Sequence, residues 1–435
     1  MPAVLADLCI EARWFLPMTE PREVLEGHAL VVRDGRILEL LPSAAARQRY
    51  APTVTVRRPA HLVMPGLINT ATHAATTLFR AAGGGRAALE QRFLGPEFVR
   101  DGVLAGIAEM LRSGITCFAD RYYFPDAAAR AAGEQGMRAV IGLPVAETKS
   151  AWADTSADYL TRALGVRDEY NGHPLISTAF APLGADTLND AAFARLATLA
   201  DELDARIVID LHESAANIDA CVARHGMRPI ERLHRLGLLT PALNAVQMTE
   251  AGAGDIELAR QTGISVSLCP HASLLNAHAL PPMRAFAAAG IRLGVGSGGA
   301  PHQDLWGDLK LLAAMSGAGT DAGTDERTVD APTDAWHALI VATRGGAAAL
   351  GIDADVGTLE AGKWADLCCV DLGAAATQPL GNPVTALVFG GGRDIVSDVW
   401  VAGRQLVSEG AMTRLDWPSV AARSNAWGLR LRAGG

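Results

Sequence analysis

The sequence predicts an α/β protein with a (β/α)8 barrel at its centre and a small β-rich domain assembled from both chain termini. Short apolar strands alternate with helical stretches through the middle of the chain, while both ends read as strands joined by turns. The 435 residues are long for one simple domain but suit a barrel with an accessory domain. The expected bounds are residues 59–356 for the barrel and residues 1–58 and 357–435 for the accessory domain.

The terminal segments carry hairpin signals. An Asp34-Gly35 dipeptide separates the apolar runs 29–33 and 36–40, a pattern typical of a tight β-hairpin. Near the other end, residues 398–407 form a second hairpin-like pair. Because these two β-rich ends flank one central block, we expect them to join in a single domain.

The central block predicts a parallel sheet. Strands are expected at 116–119, 139–143, 176–180, 207–211, 265–268 and 291–295, with helices such as 190–202 and 255–261 between them. Repeated strand–helix units of this spacing favour parallel pairing, and their number fits an eightfold barrel. In that fold the functional side chains lie on the loops that follow the carboxyl ends of the strands.

Charge, hydropathy and cysteine content restrict the partners and the cellular compartment that we expect. A net charge of −9 argues against nucleic-acid binding, and no run of eighteen apolar residues predicts a membrane span. The first ten residues lack a basic segment followed by an apolar stretch, so we expect a cytoplasmic protein without a signal peptide. None of the cysteines forms a Cys-x-x-Cys pair, which predicts buried free thiols in a reducing compartment.

Two segments carry a family resemblance. Residues 65–73 read Pro-Gly-Leu-Ile-Asn-Thr-Ala-Thr-His, and residues 357–367 read Gly-Thr-Leu-Glu-Ala-Gly-Lys-Trp-Ala-Asp-Leu. The chain resembles the amidohydrolase superfamily, in its chlorohydrolase-like branch of triazine hydrolases and adenosine-type deaminases. The resemblance implies a TIM barrel with a β-sandwich built from both termini. It also implies a homodimer or a larger homo-oligomer.

The resemblance further implies a mononuclear zinc site, and the sequence departs from it. The family takes two histidines after strand one, one each after strands five and six, and an aspartate after strand eight. The corresponding positions here hold Ala71, His73, Asp210, Asn244 and Gly298. Zinc needs three or four nitrogen, oxygen or sulfur ligands, and alanine and glycine side chains supply none. We therefore expect no metal and no other cofactor in this pocket.

Three side chains are the predicted catalytic residues: His73, Asp210 and Glu213. Reading strand five with Asp210 at the ligand position keeps the family's proton-shuttling glutamate as Glu213. Histidine is the side chain that ordinarily titrates near neutrality, so His73 is a candidate general base, and Asp210 is a candidate to orient it. The alternatives stay open: His73 as a remnant of the lost site, Asp210 paired with an arginine or a backbone N–H, and Glu213 in a structural role.

Seven further side chains follow predicted strand ends and are candidates for substrate binding. Each of them has a surface, second-layer or simple replacement role as its alternative. Arg121 stands where the family has an apolar residue, and its cation suits a carboxylate group or an ion pair. The other six are His212, Asn244, Gln247, His271, Ser297 and His302.

These observations predict an enzyme of the amidohydrolase fold that acts without the family's zinc on a small nitrogen-containing substrate. C–N bond hydrolysis, elimination, isomerisation and cyclisation all need only acid–base groups. Two other interpretations stay open. One is a metal-dependent hydrolase or deaminase with a displaced ligand set, and the other is a non-catalytic binding or regulatory homologue.

Overall fold

The N-terminal segment begins a β-sheet. A computed structural model of the protein describes residues 3–82, 86–317 and 334–434. The hairpin predicted around Asp34-Gly35 is present, since the strands on either side of it pair in antiparallel register. The strands of this segment are β1 (Val4–Phe15), β2 (Leu25–Glu26), β3 (His28–Arg33), β4 (Arg36–Pro42) and β5 (Tyr50–Pro65).

Eight parallel strands then close into a barrel, as the sequence predicts. The first and last strands of the barrel pair through Asn69 and Val295, and Thr72 bridges to Gly298. Several strands are buried along their whole length, as is usual for a parallel sheet that helices cover. They are β6 (Leu67–Thr72), β7 (Ile115–Asp120), β8 (Arg138–Val145), β9 (Ile176–Pro182), β10 (Arg206–Leu211), β11 (Leu243–Gln247), β12 (Ser265–Leu268) and β13 (Arg292–Val295).

Helices connect the barrel strands and cover them. A 3-10 helix, Ala74–Ala81, follows β6 after His73 and packs along the helix Pro96–Arg112. The helices up to the end of the barrel are α1 (Ser43–Arg49), α2 (Arg86–Phe93), α3 (Pro96–Arg112), α4 (Pro125–Gln135), α5 (Ser156–Glu169), α6 (Asp190–Glu202), α7 (Ala215–His225), α8 (Pro229–Arg235), α9 (Ala253–Thr262), α10 (Pro270–Leu275), α11 (Met283–Ala288), α12 (Trp306–Gly317), α13 (Ala335–Ala342) and α14 (Arg344–Leu350).

The C-terminal segment completes the sheet that the N-terminus begins. It contributes the strands β14 (Leu367–Asp371), β15 (Val396–Val401), β16 (Arg404–Ser408) and β17 (Ala411–Met412) and the helices α15 (Pro383–Thr385) and α16 (Trp417–Gly434). Further helical turns lie at Ala375–Thr377, Ala386–Gly390 and Arg393–Ile395. The nine-stranded sheet runs β17-β16-β15-β14-β5-β1-β3-β4, with β2 on β1. The predicted union of both termini is confirmed, and β5 extends to Pro65, past the expected bound at residue 58.

A buried ion pair and the C-terminal helix join the terminal segments to the barrel. Arg138 of β8 donates two hydrogen bonds to Asp366, at 2.7 and 3.1 Å, and both side chains are almost fully buried. Helix α16 packs on α3, where the Trp427 indole N–H donates to Asp101 at 3.0 Å. Removing either partner of such a buried pair leaves an uncompensated charge, so the two parts stabilise each other.

We expect limited proteolysis to release no stable barrel that lacks the residues beyond 357. Strand β14 lies between β5 and β15, so its loss would expose a long edge of β5 and the apolar face beneath it. A trypsin time course followed by mass spectrometry of the fragments tests this. A persistent fragment that ends near residue 357 and keeps barrel secondary structure would contradict the prediction.

The thiols agree with the sequence prediction. All six cysteines are free and buried.

None of the helices in the described ranges has both the length and the apolar character that crossing a membrane requires.

Candidate functional site

The carboxyl ends of the barrel strands place charged side chains around one mouth. His73 directly follows β6, Asp120 ends β7 and Arg121 comes next, and Asp210 is the penultimate residue of β10. A backbone hydrogen bond holds the ends of β6 and β7 together: the Arg121 N–H donates to the Thr72 carbonyl at 3.0 Å. The mouth is therefore built where a barrel of this kind carries its functional groups.

A buried ion pair crosses this mouth. The Arg121 guanidinium contacts the Asp210 carboxylate at 2.9 Å, with 6% of the arginine side chain and 25% of the aspartate side chain exposed. Burial alone disfavours the arginine charge, but the Asp210 carboxylate raises the pKa of Arg121 above its usual value. The sequence left Asp210 open to pairing with His73 or with an arginine, and its partner is Arg121.

His73 lies in the mouth as a neutral imidazole. Burial, and then the positive charge of Arg121, lower the pKa of His73 from 6.5 to about 3. Its ring lies 5.8 Å from the ring of Tyr122, whose hydroxyl donates to Glu90 at 2.6 Å. An imidazole with so low a pKa is a weak base, so the geometry favours hydrogen bonding by His73 over proton abstraction.

Glu213 lines a cavity of about 270 Å³ at the ends of β9 and β10. The same cavity is lined by Asp210 and by the segment 183–187 that follows β9. Burial and the neighbouring Asp210 charge raise the pKa of the Glu213 carboxyl above 4.5. A carboxyl group with a raised pKa can both give up and accept a proton closer to neutral pH.

Three polar atoms in the mouth are buried and have no hydrogen-bond partner among the described residues. They are His73 Nδ1, Arg121 Nε and Asp210 Oδ1. Leaving such an atom unpaired costs about 1–3 kcal/mol, more when the group is charged. Water or a polar ligand in the mouth would supply the missing partners, which makes these atoms a signal of a binding site.

Asn244 does not stand at a strand end. It is the second residue of β11, and its amide exchanges hydrogen bonds of 2.9 and 3.0 Å with the Ser267 hydroxyl inside the barrel. The carboxyl end of β11 is Gln247, which has a positive φ of 79° and accepts a hydrogen bond from Ser273 at 3.4 Å. Gln247, rather than Asn244, therefore stands at the carboxyl end of this strand. Its substrate-binding role stays a prediction.

Two other candidates are occupied by structural contacts. His212 is 1% exposed, and its ring nitrogens contact the Ile230 N–H at 3.2 Å and Arg228 at 3.3 Å. Ser297 exchanges hydrogen bonds with Asn69 at 2.9 and 3.0 Å, across the seam that closes the barrel. His212 also lies on the wall of the cavity that contains Glu213. The substrate-binding roles of both residues stay predictions.

His271 and His302 form a separate group. His302 Nε2 lies 2.9 Å from His271 Nδ1, and neither residue lines the cavity that contains Glu213. Their substrate-binding role stays a prediction.

Two buried aspartates were missed in the sequence analysis. Asp120 accepts the Ala74 N–H at 2.7 Å, and Asp308 accepts the His271 N–H at 3.0 Å. The position of Asp120, immediately before Arg121 at a strand end, was the available signal.

Comparison with known proteins agrees with this architecture. The model of the amidohydrolase family matches residues 62–406. The chain belongs to the amidohydrolase family. It is 36% identical over 440 residues to a 5-methylthioadenosine/S-adenosylhomocysteine deaminase of Teredinibacter turnerae, covering 98% of each chain. A protein of the same name from Saccharophagus degradans is 35% identical over 439 residues, which cover 98% of this chain and 97% of the relative.

Two solved structures share this fold. An adenosine deaminase from Xanthomonas campestris with bound zinc superposes with a TM-score of 0.94 at 38% identity, covering 99% of this chain and 100% of the other. An atrazine chlorohydrolase from Arthrobacter aurescens TC1 in complex with zinc gives a TM-score of 0.85 at 22% identity. That match covers 97% of this chain and 100% of the other and shows a shared fold.

The residues present in the mouth do not fit the family's zinc. Ala71 and Gly298 offer no ligand atom, and a side chain at position 298 would crowd the neighbouring Ala272 and Cys269. The Asp210 carboxylate is held by the Arg121 guanidinium, so a fixed organic cation already lies beside the ligand positions. His73 and Asp210 alone fall short of the three protein ligands of a catalytic zinc site.

We expect the zinc content of the protein to be unaffected by His73→Ala or by Asp210→Asn. The mouth offers too few ligands, so removing one of them should release no metal. Elemental analysis after exposure to ZnCl2 and gel filtration measures this, with the unchanged protein as the reference. A loss of about one zinc per chain in either variant would place the ion in the mouth and contradict the prediction.

Proposed function

We propose that this amidohydrolase-family protein is a hydrolase of the deaminase type, which cleaves a C–N bond of a small nitrogen-containing substrate without a metal in the mouth. The observation that carries the proposal is the set of unpaired buried atoms of His73, Arg121 and Asp210 beside the Glu213 cavity. They offer a hydrogen-bond donor and acceptors to a polar substrate next to a carboxyl group that can move a proton.

The substrate class we propose is a purine nucleoside whose exocyclic amino group leaves as ammonia. The names of the two bacterial relatives above describe deaminases of 5-methylthioadenosine and S-adenosylhomocysteine. The cavity of about 270 Å³ lies just below the roughly 300–1,000 Å³ common for small-molecule sites. Glu213 and Asp210 on its wall suit the ring nitrogens and the amino group of a purine.

In the proposed reaction, Glu213 takes a proton from the attacking water as the C–O bond forms, and it delivers a proton to the leaving nitrogen as the C–N bond breaks. Arg121 keeps a positive charge in the mouth while negative charge develops on the substrate, and Asp210 holds the guanidinium in place. His73 is a neutral hydrogen-bonding group in this scheme rather than the general base that the sequence predicts.

The test is ammonia release by the full-length, chelator-treated protein supplied with adenosine, 5-methylthioadenosine or S-adenosylhomocysteine. We expect turnover of at least one of these nucleosides, at a rate that added ZnCl2 does not change. Activity that disappears with the chelator and returns with zinc would overturn the metal-free mechanism.

A second candidate function is ligand binding without turnover. The Arg121–Asp210 pair favours this function, because each charge in the mouth is already neutralised by the other. Calorimetric titration separates the two. Binding of a nucleoside in the absence of ammonia release, with and without zinc, would support this second function.

The predicted homo-oligomer and the cytoplasmic location remain proposals. The six buried free thiols support a reducing compartment. Analytical ultracentrifugation of the purified chain tests the oligomeric state, and a sedimentation coefficient of a 45.5 kDa monomer would contradict it.

A further inference from the structure

Three metal-ligating side chains meet outside the mouth. One ligand atom each from His271, His302 and Asp308 lies within 4.8 Å of the other two, and no other such group of three is present among the described residues. His271 lies in α10 after β12, His302 in the loop after β13, and Asp308 in α12. None of them occupies a position where the family resemblance implies a zinc ligand.

We propose that His271, His302 and Asp308 bind one divalent first-row transition-metal ion, such as Zn²⁺. Two imidazoles and a carboxylate are a ligand set that suits zinc and its neighbours in the first row. Three protein ligands leave a position for water, and the ion would tie the loops after β12 and β13 together. This proposal rests on different residues from the proposed function and does not depend on it.

The spacing suits such an ion. His302 Nε2 and His271 Nδ1 are 2.9 Å apart, whereas ligand atoms in a tetrahedral zinc site with bonds of about 2.0–2.1 Å lie roughly 3.3 Å apart. Small side-chain rotations therefore make room for the ion. Gly307 allows the His271 ring to lie where it does, because a Cβ there would approach Nδ1 to 3.1 Å.

His302 has the outer contact that a ligating histidine usually makes. Its Nδ1 lies 3.2 Å from the backbone carbonyl of Asp304, which fits an N–H donor and leaves the Nε2 lone pair facing His271. Two neutral imidazoles facing each other share a single proton, and a metal ion replaces that proton by binding both nitrogens.

Asp308 supplies an independent observation. The residue is fully buried, its Oδ1 accepts the His271 N–H at 3.0 Å, and its Oδ2 has no hydrogen-bond partner among the described residues. An unpaired buried carboxylate oxygen is costly, and a bound cation removes the cost.

A cavity of about 360 Å³ gives access to the group. Its wall includes His271, His302, Asp304 and Gly307. An ion and its coordinated water can therefore reach the two imidazoles without passing through the mouth that contains Glu213.

The experiment is metal uptake by the full-length, chelator-treated protein. We expect one Zn²⁺ per chain after gel filtration, and Co²⁺ as a probe should give visible d–d absorption. His271→Gln and His302→Gln should each weaken Zn²⁺ binding by more than the roughly 10–100-fold that loss of an outer partner costs. Because Asp308 is buried, its variant Asp308→Asn is interpreted only if circular dichroism shows native secondary structure.

Two matched variants make the result decisive. His234→Gln removes an exposed histidine, and His73→Gln removes the histidine of the mouth, and both should keep full uptake. No retained zinc in the folded, unsubstituted protein would overturn the proposal. Uptake that survives both His271→Gln and His302→Gln, or that is lost in His73→Gln, would overturn it as well. None of these outcomes bears on whether Glu213 supports ammonia release.

Discussion

The substitution Glu213→Gln should lower turnover of the purine nucleoside by roughly 10²–10⁴-fold, the usual contribution of a positioned acid–base group. The amide keeps the shape and the hydrogen bonding of the side chain but can neither take a proton from water nor deliver one to the leaving nitrogen. Because the contacts to the ground-state substrate are largely kept, the loss should appear in kcat, with little change in KM. Steady-state ammonia release measures both constants.

The pH profile gives a second, independent signature of Glu213. The carboxyl must be ionised to act as the base, and burial and Asp210 raise its pKa above 4.5. Activity should therefore fall as the pH is lowered through a pKa higher than that of a free glutamate, and the fall should be absent from any residual activity of Glu213→Gln. An acidic limb that persists in this variant would assign the titration to another group.

Glu202→Gln is the matched control for this experiment. Glu202 is exposed at the end of α6, away from the mouth. The substitution Glu202→Gln there makes the same change in charge and chemistry as Glu213→Gln. It should leave kcat and KM at the values of the unsubstituted protein. Equal loss in both variants would show a general effect of charge or folding and would remove Glu213 from the mechanism.

Replacing Arg121 by methionine should lower the free energy of unfolding by about 2–4 kcal/mol. Losing one partner of a buried pair costs about 3–5 kcal/mol because the other charge remains buried, and the quarter exposure of Asp210 reduces that cost. Urea denaturation followed by circular dichroism measures the change. We also expect lower turnover in Arg121→Met, because the mouth loses its fixed positive charge.

The double variant Arg121→Met/Asp210→Leu tests the origin of this cost. Two apolar residues leave no unpaired charge, so the double variant should be more stable than Arg121→Met alone. Arg260→Met is the matched control, since Arg260 pairs with Glu257 on the surface with half of each side chain exposed, and little change is expected there. Additive losses in the double variant would mean that Arg121 and Asp210 do not stabilise each other.

The fold was predictable because its signals are local and repeated. Alternating strands and helices, the Asp34-Gly35 turn and the glycine-rich segment 357–367 each depend on neighbouring residues, and they point to the same architecture. The sequence also determined that the family's ligand set is broken, since alanine and glycine at positions 71 and 298 have no side-chain ligand whatever their surroundings. Both conclusions follow from residue types and spacing alone.

The tertiary structure decided which of the remaining polar side chains meet. The partner of Asp210 proved to be Arg121, which follows a strand that β8 and β9 separate from β10 and lies 89 positions away in the chain. No local pattern encodes such a contact. The placement of Asn244 within β11, and of Gln247 at its end, depended on strand bounds that sequence patterns give only to within a few residues.

The burial of polar side chains also depends on the assembled barrel. The low pKa of His73 arises because packing removes water and places Arg121 beside the ring. Neither effect can be read from the histidine residue by itself. The convergence of His271, His302 and Asp308 likewise requires the loops after β12 and β13 to fold against α12. The sequence by itself determined the scaffold and the lost zinc ligands, and long-range packing decided the charges and contacts that occupy the scaffold.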